Sequence, residues 1–313
     1  MERITGEAPL PGALRGGVAA IGNFDGFHIG HQAVVGRALA RARTEGLPAL
    51  TLTFDPHPAR LFRPQSPPFM LTTTAQKLDL LETFGIDAAV VLRFDAAFAA
   101  LPAEAFVADV LMARLGLVGV VTGEDFTFGR GAGGDTAKLL ELGAPRGLIA
   151  ETVAPVRDEG AAIISSTRVR AALQAGHCRE AAALMGRPFA IRGTVEHGDK
   201  RGRTIDVPTA NVAIGGEYVR PAYGIYAVRC RLEDGRLVDG VANLGIRPMF
   251  TPPKELLEVH LFDFAGDLYG QAIETQLIAH LRPEMKLASL EALKAQIAKD
   301  IVDARAALQQ GKP

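Results

Sequence analysis

His28 and His31 stand in the segment Gly22-Asn23-Phe24-Asp25-Gly26-Phe27-His28-Ile29-Gly30-His31. An apolar run ends just before it and a helix-like stretch follows. At a helix N-terminus the free backbone N–H groups attract phosphate. Imidazoles placed there can donate to an α-phosphate as charge builds on it during nucleotidyl transfer. Gly22 and Gly26 let the backbone approach a nucleotide closely. Taken alone, two histidines at a helix start are equally well structural; the strand-loop-helix setting is what favours phosphate chemistry.

A second phosphate-handling segment is Ile164-Ser165-Ser166-Thr167-Arg168-Val169-Arg170. Ser165 or Ser166 can cap a helix, and its first N–H groups, the hydroxyls and the arginines together form a clamp for anionic oxygens. As a bare string it is also an ordinary cap followed by surface arginines. Two further segments, Thr53-Phe54-Asp55-Pro56-His57-Pro58 with Phe62 following, and Gly123-Glu124-Asp125-Phe126-Thr127-Phe128-Gly129, place aromatics and prolines just past a strand's carboxyl end. A flat ring system would want such apolar walls, although each Phe taken singly fits a core position equally well.

The second half carries its own set. Gly198-Asp199-Lys200-Arg201-Gly202-Arg203 is a basic, glycine-bearing loop fit to fold over polyphosphate, or else a solvated hairpin turn. In Pro208-Thr209-Ala210-Asn211 the oxygens of Thr209 and Asn211 share one side of a strand, and such neutral oxygens can bind Mg²⁺ together with nucleotide phosphates. Asn243-Leu244-Gly245-Ile246-Arg247-Pro248 follows, and then Glu258 in an otherwise apolar strand. A carboxylate there can take a proton from a substrate hydroxyl as a kinase base does; the alternative is that it faces solvent.

The elements that position these residues fall into two patterns. Up to about Gly186, apolar runs at Gly17–Ile21, Ala49–Phe54, Ala88–Leu92, Leu117–Thr122 and Leu148–Val153 alternate with helical stretches near Gly30–Glu45, Thr72–Gly85 and Pro102–Gly116. That predicts an α/β domain with a parallel, doubly wound sheet over residues 1–186, with the ligand beyond the carboxyl ends of the strands. Over residues 187–313, Gly-, Pro- and Asp-containing turns separate β-like runs at Phe189–Glu196, Ile225–Leu232, Leu237–Ala242, Leu256–Phe262 and Ala272–Ala279, which predicts a small antiparallel barrel. Leu290, Leu293, Ile297 and Ile301 then recur at helical spacing in a closing helix.

Bulk properties agree with two packed domains. The 313 residues are 48 % hydrophobic and 22 % charged, with a net charge of −1. That balance offers no basic field for nucleic acid. Cys178 and Cys230 are isolated, which argues against a disulfide framework or zinc site and for a reducing, cytoplasmic compartment. No signal peptide is visible, and no apolar run approaches the roughly 18 residues a membrane span needs.

His-Ile-Gly-His is the HxGH signature of the nucleotidylyltransferase superfamily. GNFDGFHIGH, TFDPHP, GEDFTFG and ISSTRVR, in this order, resemble the FMN adenylyltransferase module of the prokaryotic riboflavin kinase/FAD synthetase family. GDKRGR, PTAN, NLGIRP, the glutamate before HLFDF, and DLYG resemble its riboflavin kinase module, so the resemblance runs from about Gly16 to Ala307. It implies that His28 and His31 stabilise the adenylyl-transfer transition state, and that Gly22–Gly26, Asp125, Ser165, Ser166, Thr167 and Arg170 bind ATP. His57, Pro58 and Phe62 would line the flavin side. It also implies that Gly198, Lys200, Arg203 and Arg247 serve the kinase nucleotide, that Thr209 and Asn211 hold Mg²⁺-ATP, and that Glu258 is the base acting on riboflavin. The substrates would be ATP, riboflavin and FMN, and the final product FAD.

Two positions depart from the family pattern: Asp206 stands where glycine is usual, and Met249 where threonine is usual. They leave open an adenylyltransferase with an impaired kinase half. A non-catalytic flavin-binding protein and an HxGH enzyme acting on another substrate, such as pantetheine phosphate, also remain alternatives at this level.

Overall fold

The computed structural model describes residues 1–196, 207–247 and 254–310. The chain divides into two compact units, Met1–Pro67 with Thr72–Ser165, and Pro68–Leu71 with Ser166–Pro313.

The first unit is built on six parallel strands: β1 (Glu2–Thr5), β2 (Val18–Ile21), β3 (Ala49–Asp55), β4 (Ala88–Arg93), β5 (Gly119–Gly123) and β6 (Ile149–Val153). Their order is β1-β4-β3-β2-β5-β6. Successive side chains alternate between faces. Ala19, Ile21, Leu50, Leu52, Val90 and Val120 accordingly enter one core, and Val18, Ala20, Ala49, Ala89 and Val121 enter the other. Six helices accompany the sheet: α1 (Ile29–Glu45), α2 (Pro58–Phe62), α3 (Thr74–Thr83), α4 (Ala96–Ala99), α5 (Ala103–Ala105) and α6 (Thr136–Gly143). α1, through Val34, Val35, Ala38 and Ala42, and α3, through Leu78 and Leu81, cover the second core. Phe106, Val107, Val110 and Leu111, with Leu139 and Leu142 of α6, cover the first. Helices on both faces make the sheet doubly wound, as its buried apolar strands predict.

Two features escape the sequence pattern. β1 is a polar edge strand with mostly exposed side chains, so no apolar run announces it. The helix expected from Pro102 to Gly116 becomes, after α5, a wide π-type segment over Phe106–Arg114, ending with Leu115 N–H donating to the Val110 carbonyl five residues back at 3.0 Å.

In the second unit, α7 (Ser166–Gln174) and α8 (Cys178–Met185) precede a closed barrel. Its strands are β7 (Phe189–Glu196), β8 (Ala210–Val212), β9 (Gly224–Arg231), β10 (Leu237–Arg247), β11 (Lys254–Leu261) and β12 (Ala272–Arg282), all paired antiparallel in the order β10-β11-β8-β7-β12-β9. Closure leaves no unpaired sheet edge. Phe189, Ile191, Val195, Val212, Leu257, Val259 and Leu277 are buried. α9 (Leu290–Gln310) packs Ala304 and Leu308 against Ala227, Val241 and Phe262. A two-pronged ion pair fastens it: Arg282 donates from Nε and Nη2 to Asp300 at 2.8 and 2.7 Å. The short segment Pro68–Leu71 joins this unit through Phe69 and Met70 N–H groups, which both donate to the Glu217 carbonyl. α8 ends at Gly186, whose left-handed φ of 72° suits glycine.

Candidate active sites

All strands of the first sheet run the same way, so the segments after β2, β3 and β5 emerge at one edge. These three strands are neighbours with β2 in the middle, and strand order reverses at β2. This is the switch point at which open α/β sheets open a ligand crevice. Around it stand Gly22, Asn23, His28 and His31 after β2, His57, Pro58 and Phe62 after β3, and Asp125 after β5.

The turn from Gly22 to His28 is tightly determined. His28 is the N-cap of α1, with Nδ1 accepting from the His31 backbone N–H at 3.3 Å. The two imidazoles stack at 3.6 Å between centroids and 19° between planes. A Cβ on Gly30 would come within 3.1 Å of the His28 ring and 3.4 Å of the Ile164 carbonyl. Gly30 thus leaves room for the stack, and the chain just before Ser165 lies beside it. Phe24 and Phe27 both hold positive φ, 50° and 38°, a conformation that costs bulky residues about 1–3 kcal/mol each. Phe24 is buried and sets its ring edge against His31 at 5.5 Å.

Asp25, assigned to the nucleotide by its motif, is only 1 % exposed. Its Oδ1 accepts from the Thr72 N–H at 3.1 Å, and the Gly26 N–H donates to the Thr72 hydroxyl at 3.1 Å. Lys77 of α3 is also 1 % exposed and donates from Nζ to the Asn23 carbonyl and to Thr53 Oγ1, both at 2.9 Å. Burial pushes its pKa down to about 8, against the opposing pull of the Asp25 and Asp55 carboxylates. Thr53 stands in a segment notable for its aromatics and prolines, and Thr72 and Lys77 belong to no motif. α3 carries Gln76, Asp79 and Glu82 beside Lys77, so no local pattern sets this lysine apart.

His57 caps α2, with Nδ1 accepting from Ala59 N–H at 3.1 Å, and Pro58 takes the first helical position. Phe62 is 66 % exposed. It lies edge-on to Phe94 at 5.9 Å, and Phe94 packs on Phe54 and Phe98 at 5.6 Å each. An exposed ring backed by half-buried Phe94 and Phe98 and by buried Phe54 makes an apolar ledge. Asp125 is exposed.

Ser165 closes the first unit, while Ser166, Thr167, Arg168 and Arg170 form the first turns of α7 in the second. There Arg170 donates from Nε to the Phe69 carbonyl at 2.7 Å and lies 5.4 Å over the Phe69 ring.

On the barrel, register assembles a polar row. Asn243 of β10 faces Glu258 of β11, Glu258 faces Asn211 of β8, and Asn211 faces Glu196 of β7. Directly opposed residues share a face. Their chain neighbours Leu244, Leu257, Val259, Val212 and Val195 are buried, so the row lies on the barrel's outer face. The sequence pattern puts Thr209 on one strand face with Asn211, but β8 begins at Ala210, so Thr209 lies just before the paired strand, where ladder register does not set its side. His260 Nδ1 lies 2.9 Å from the Pro208 carbonyl, linking the Thr209 segment to β11. Asn243 Oδ1 is buried without a hydrogen-bond partner among the described residues. Asn243, Glu196 and His260 were not singled out from sequence, because the register that aligns them is a long-range property. Arg247 is the last residue of β10. Gly198, Lys200, Arg203, Asp206 and Met249 lie outside the described residues.

Among the described residues no group of three His, Cys, Asp or Glu side chains is arranged to hold a metal. No described helix is long and apolar enough to cross a membrane. Both cysteines are free and buried, and burial pushes the thiols up to about 11 at Cys178 and about 12 at Cys230.

Known proteins resemble this chain along both units. A family model described as FAD synthetase matches residues 11–168, and one described as riboflavin kinase matches residues 185–308. The chain is 42 % identical over 307 residues to the bifunctional riboflavin kinase/FMN adenylyltransferase of Escherichia coli strain K12, covering 98 % of this chain and 96 % of that one. To the protein of the same name from Bacillus subtilis strain 168 it is 38 % identical over 289 residues, 90 % of each. A crystal structure described as a macrolide-efflux protein from Streptococcus pneumoniae has a TM-score of 0.86 at 30 % identity, covering 96 % of this chain and 97 % of that one.

Proposed function

The chain belongs to the bifunctional riboflavin kinase/FMN adenylyltransferase family, and from that premise we propose how its residues divide the two reactions. Its activities are riboflavin kinase and FMN adenylyltransferase. We assign the adenylyl transfer to residues 1–186 and the kinase to residues 187–313.

In adenylyl transfer an FMN phosphate oxygen attacks the α-phosphorus of ATP and pyrophosphate leaves. The nucleophile is already ionised, so catalysis is positioning and charge stabilisation. The observation that carries this reading is the stacked pair His28 and His31 at the N-terminus of α1. Their imidazoles and the α1 N–H groups receive the charge that grows on the α-phosphate. Asn23, with the Gly22–Gly26 backbone, Asp125 and Ser165, takes the rest of ATP. His57, Pro58 and the Phe62 ledge take the isoalloxazine. Asp25 and Phe24 act from beneath, as their burial requires.

In the kinase reaction the riboflavin 5′-hydroxyl attacks the γ-phosphorus, ADP leaves, and Glu258 takes the hydroxyl proton. Thr209 and Asn211 would hold the nucleotide with Mg²⁺: neutral oxygens near a carboxylate are hard donors of the kind this ion accepts together with nucleotide phosphates. Bound Mg²⁺ would neutralise phosphate charge. Gly198, Lys200, Arg203 and Arg247 serve the same nucleotide. A reducing cytoplasmic setting suits two buried, free thiols.

The test is a chromatographic product assay with purified protein and Mg²⁺-ATP, supplied with riboflavin or with FMN. FAD from both substrates, with FMN appearing on the way from riboflavin, is the expected result. FAD from FMN alone would mean that the barrel is not a working kinase.

A further inference from the structure

A buried ammonium beneath a phosphate-binding turn needs a reason. Removing a lysine from water is unfavourable, and an apolar side chain of similar length would fill the same space without that penalty. Lys77 is nevertheless 1 % exposed, at a point where α3 faces the carboxyl ends of β2 and β3. The charged groups acting on it are Asp25 from the turn after β2 and Asp55 at the end of β3.

Its hydrogen bonds all converge on one backbone atom. Nζ donates to the Asn23 carbonyl and to Thr53 Oγ1, and Thr53 Oγ1 donates in turn to the Asn23 carbonyl at 3.1 Å. The next residue, Phe24, is forced to positive φ and props the His31 ring edge-on. A peptide plane held at its carbonyl fixes the torsion that follows, so the chain of constraint runs from Lys77 through Asn23 and Phe24 to His31. The start of α3 supplies the second anchor through Thr72, bound to Asp25 and Gly26.

Resting on the assignment of adenylyl transfer to His28 and His31, we infer that Lys77 is a positioning residue for that reaction. It holds the Asn23 carbonyl inward, so that the strained turn presents the stacked imidazoles and the α1 N–H groups in their working geometry. It does not touch substrate. Its effect belongs to the rate of the chemical step rather than to substrate binding or to the stability of the fold.

The test uses the full chain with Lys77→Met and compares both reactions in one protein, so riboflavin phosphorylation reports folding of the barrel and Tm that of the α/β unit. The expected result is a kcat for FAD formation from FMN lowered by about tenfold or more, KM values for FMN and ATP changed less than kcat, an unchanged kinase rate, and a Tm equal to or above wild type. Unchanged FAD formation, or a loss shared with the kinase or dominated by KM, overturns the inference. Should Lys77→Met fail to fold, Thr53→Val decides: it removes the bridging hydroxyl while keeping the charge, and a kcat fall of about threefold with the kinase untouched is expected, whereas no fall overturns the inference. His31→Ala is run alongside. If it too leaves FAD formation intact, the histidine assignment itself fails; if it alone abolishes the reaction, only the role of Lys77 fails.

Discussion

The two sites are held in place by different means. In the α/β unit the turn proposed to carry catalysis is a departure from regular structure, with two phenylalanines at positive φ and buried Asp25, Thr72 and Lys77 bracing it from behind. On the barrel, Asn243, Glu258, Asn211 and Glu196 sit on regular strands, and ladder register alone puts them opposite one another. The first arrangement stores strain that distant residues must offset. The second needs no special backbone, since every position is fixed by hydrogen bonds common to all sheets. The proposed adenylyl site is therefore the more sensitive to changes behind it, and the proposed kinase row to changes in the row itself.

The sharpest way to break this comparison is Glu258→Gln. Loss of a general base costs on the order of 10²–10⁴-fold, so riboflavin phosphorylation should fall by that much while FAD formation from FMN persists. A parallel loss of both in the product assay would mean that the two sites are not independent. His31→Ala is the converse, with FAD formation falling by about 10²–10³-fold, the usual cost of a lost transition-state donor, and the kinase rate unaffected.

A pH measurement sharpens the claim that the first site rests on a buried charge. Lys77 is lowered from its ordinary 10.5 to about 8 by burial. Between those values the unfolded chain keeps the proton that the folded chain has released, so the stability contributed at this position rises with pH through that window. Denaturant unfolding at pH 8 and pH 10 should show the gap between wild type and Lys77→Met moving in wild type's favour by about 1–3 kcal/mol. A pH-independent gap would place Lys77 in contact with water.

The smallest expected effect is at the flavin wall. Phe62 is exposed and backed by Phe94, so Phe62→Ala removes ring contact without opening the core. Its KM for FMN should rise by about three- to tenfold with Tm unchanged, as fits loss of one apolar contact of about 1 kcal/mol. A lowered Tm would instead assign the ring to packing.

Much of this was legible in the residues. Strands buried on both faces read as unbroken apolar runs, which is why β2 to β6 could be placed within a residue or two. The histidine pair was legible because Gly22, Gly26 and Gly30 punctuate a strand-to-helix turn; that the two rings stack was not. β1 was not, because an edge strand needs no apolar face. β10 and β12 extend beyond the expected runs: polar Asn243 interrupts the apolar pattern of β10 before buried Leu244 resumes it, and β12 keeps pairing through half-buried residues to Arg282.

What the amino-acid sequence determined by itself is local and periodic: apolar alternation, helix starts, and short motifs whose donors lie within one turn. These set the α/β and barrel classes and named His28, His31, Thr209, Asn211 and Glu258. Only the tertiary structure decided what surrounds them. Lys77 reaches Asn23 across 54 residues, and Asn243 meets Glu258 through strand pairing. Such contacts depend on how the chain closes on itself, and no local pattern encodes them. The same closure buries Asp25 and ties it to Thr72, a bond that no motif announces.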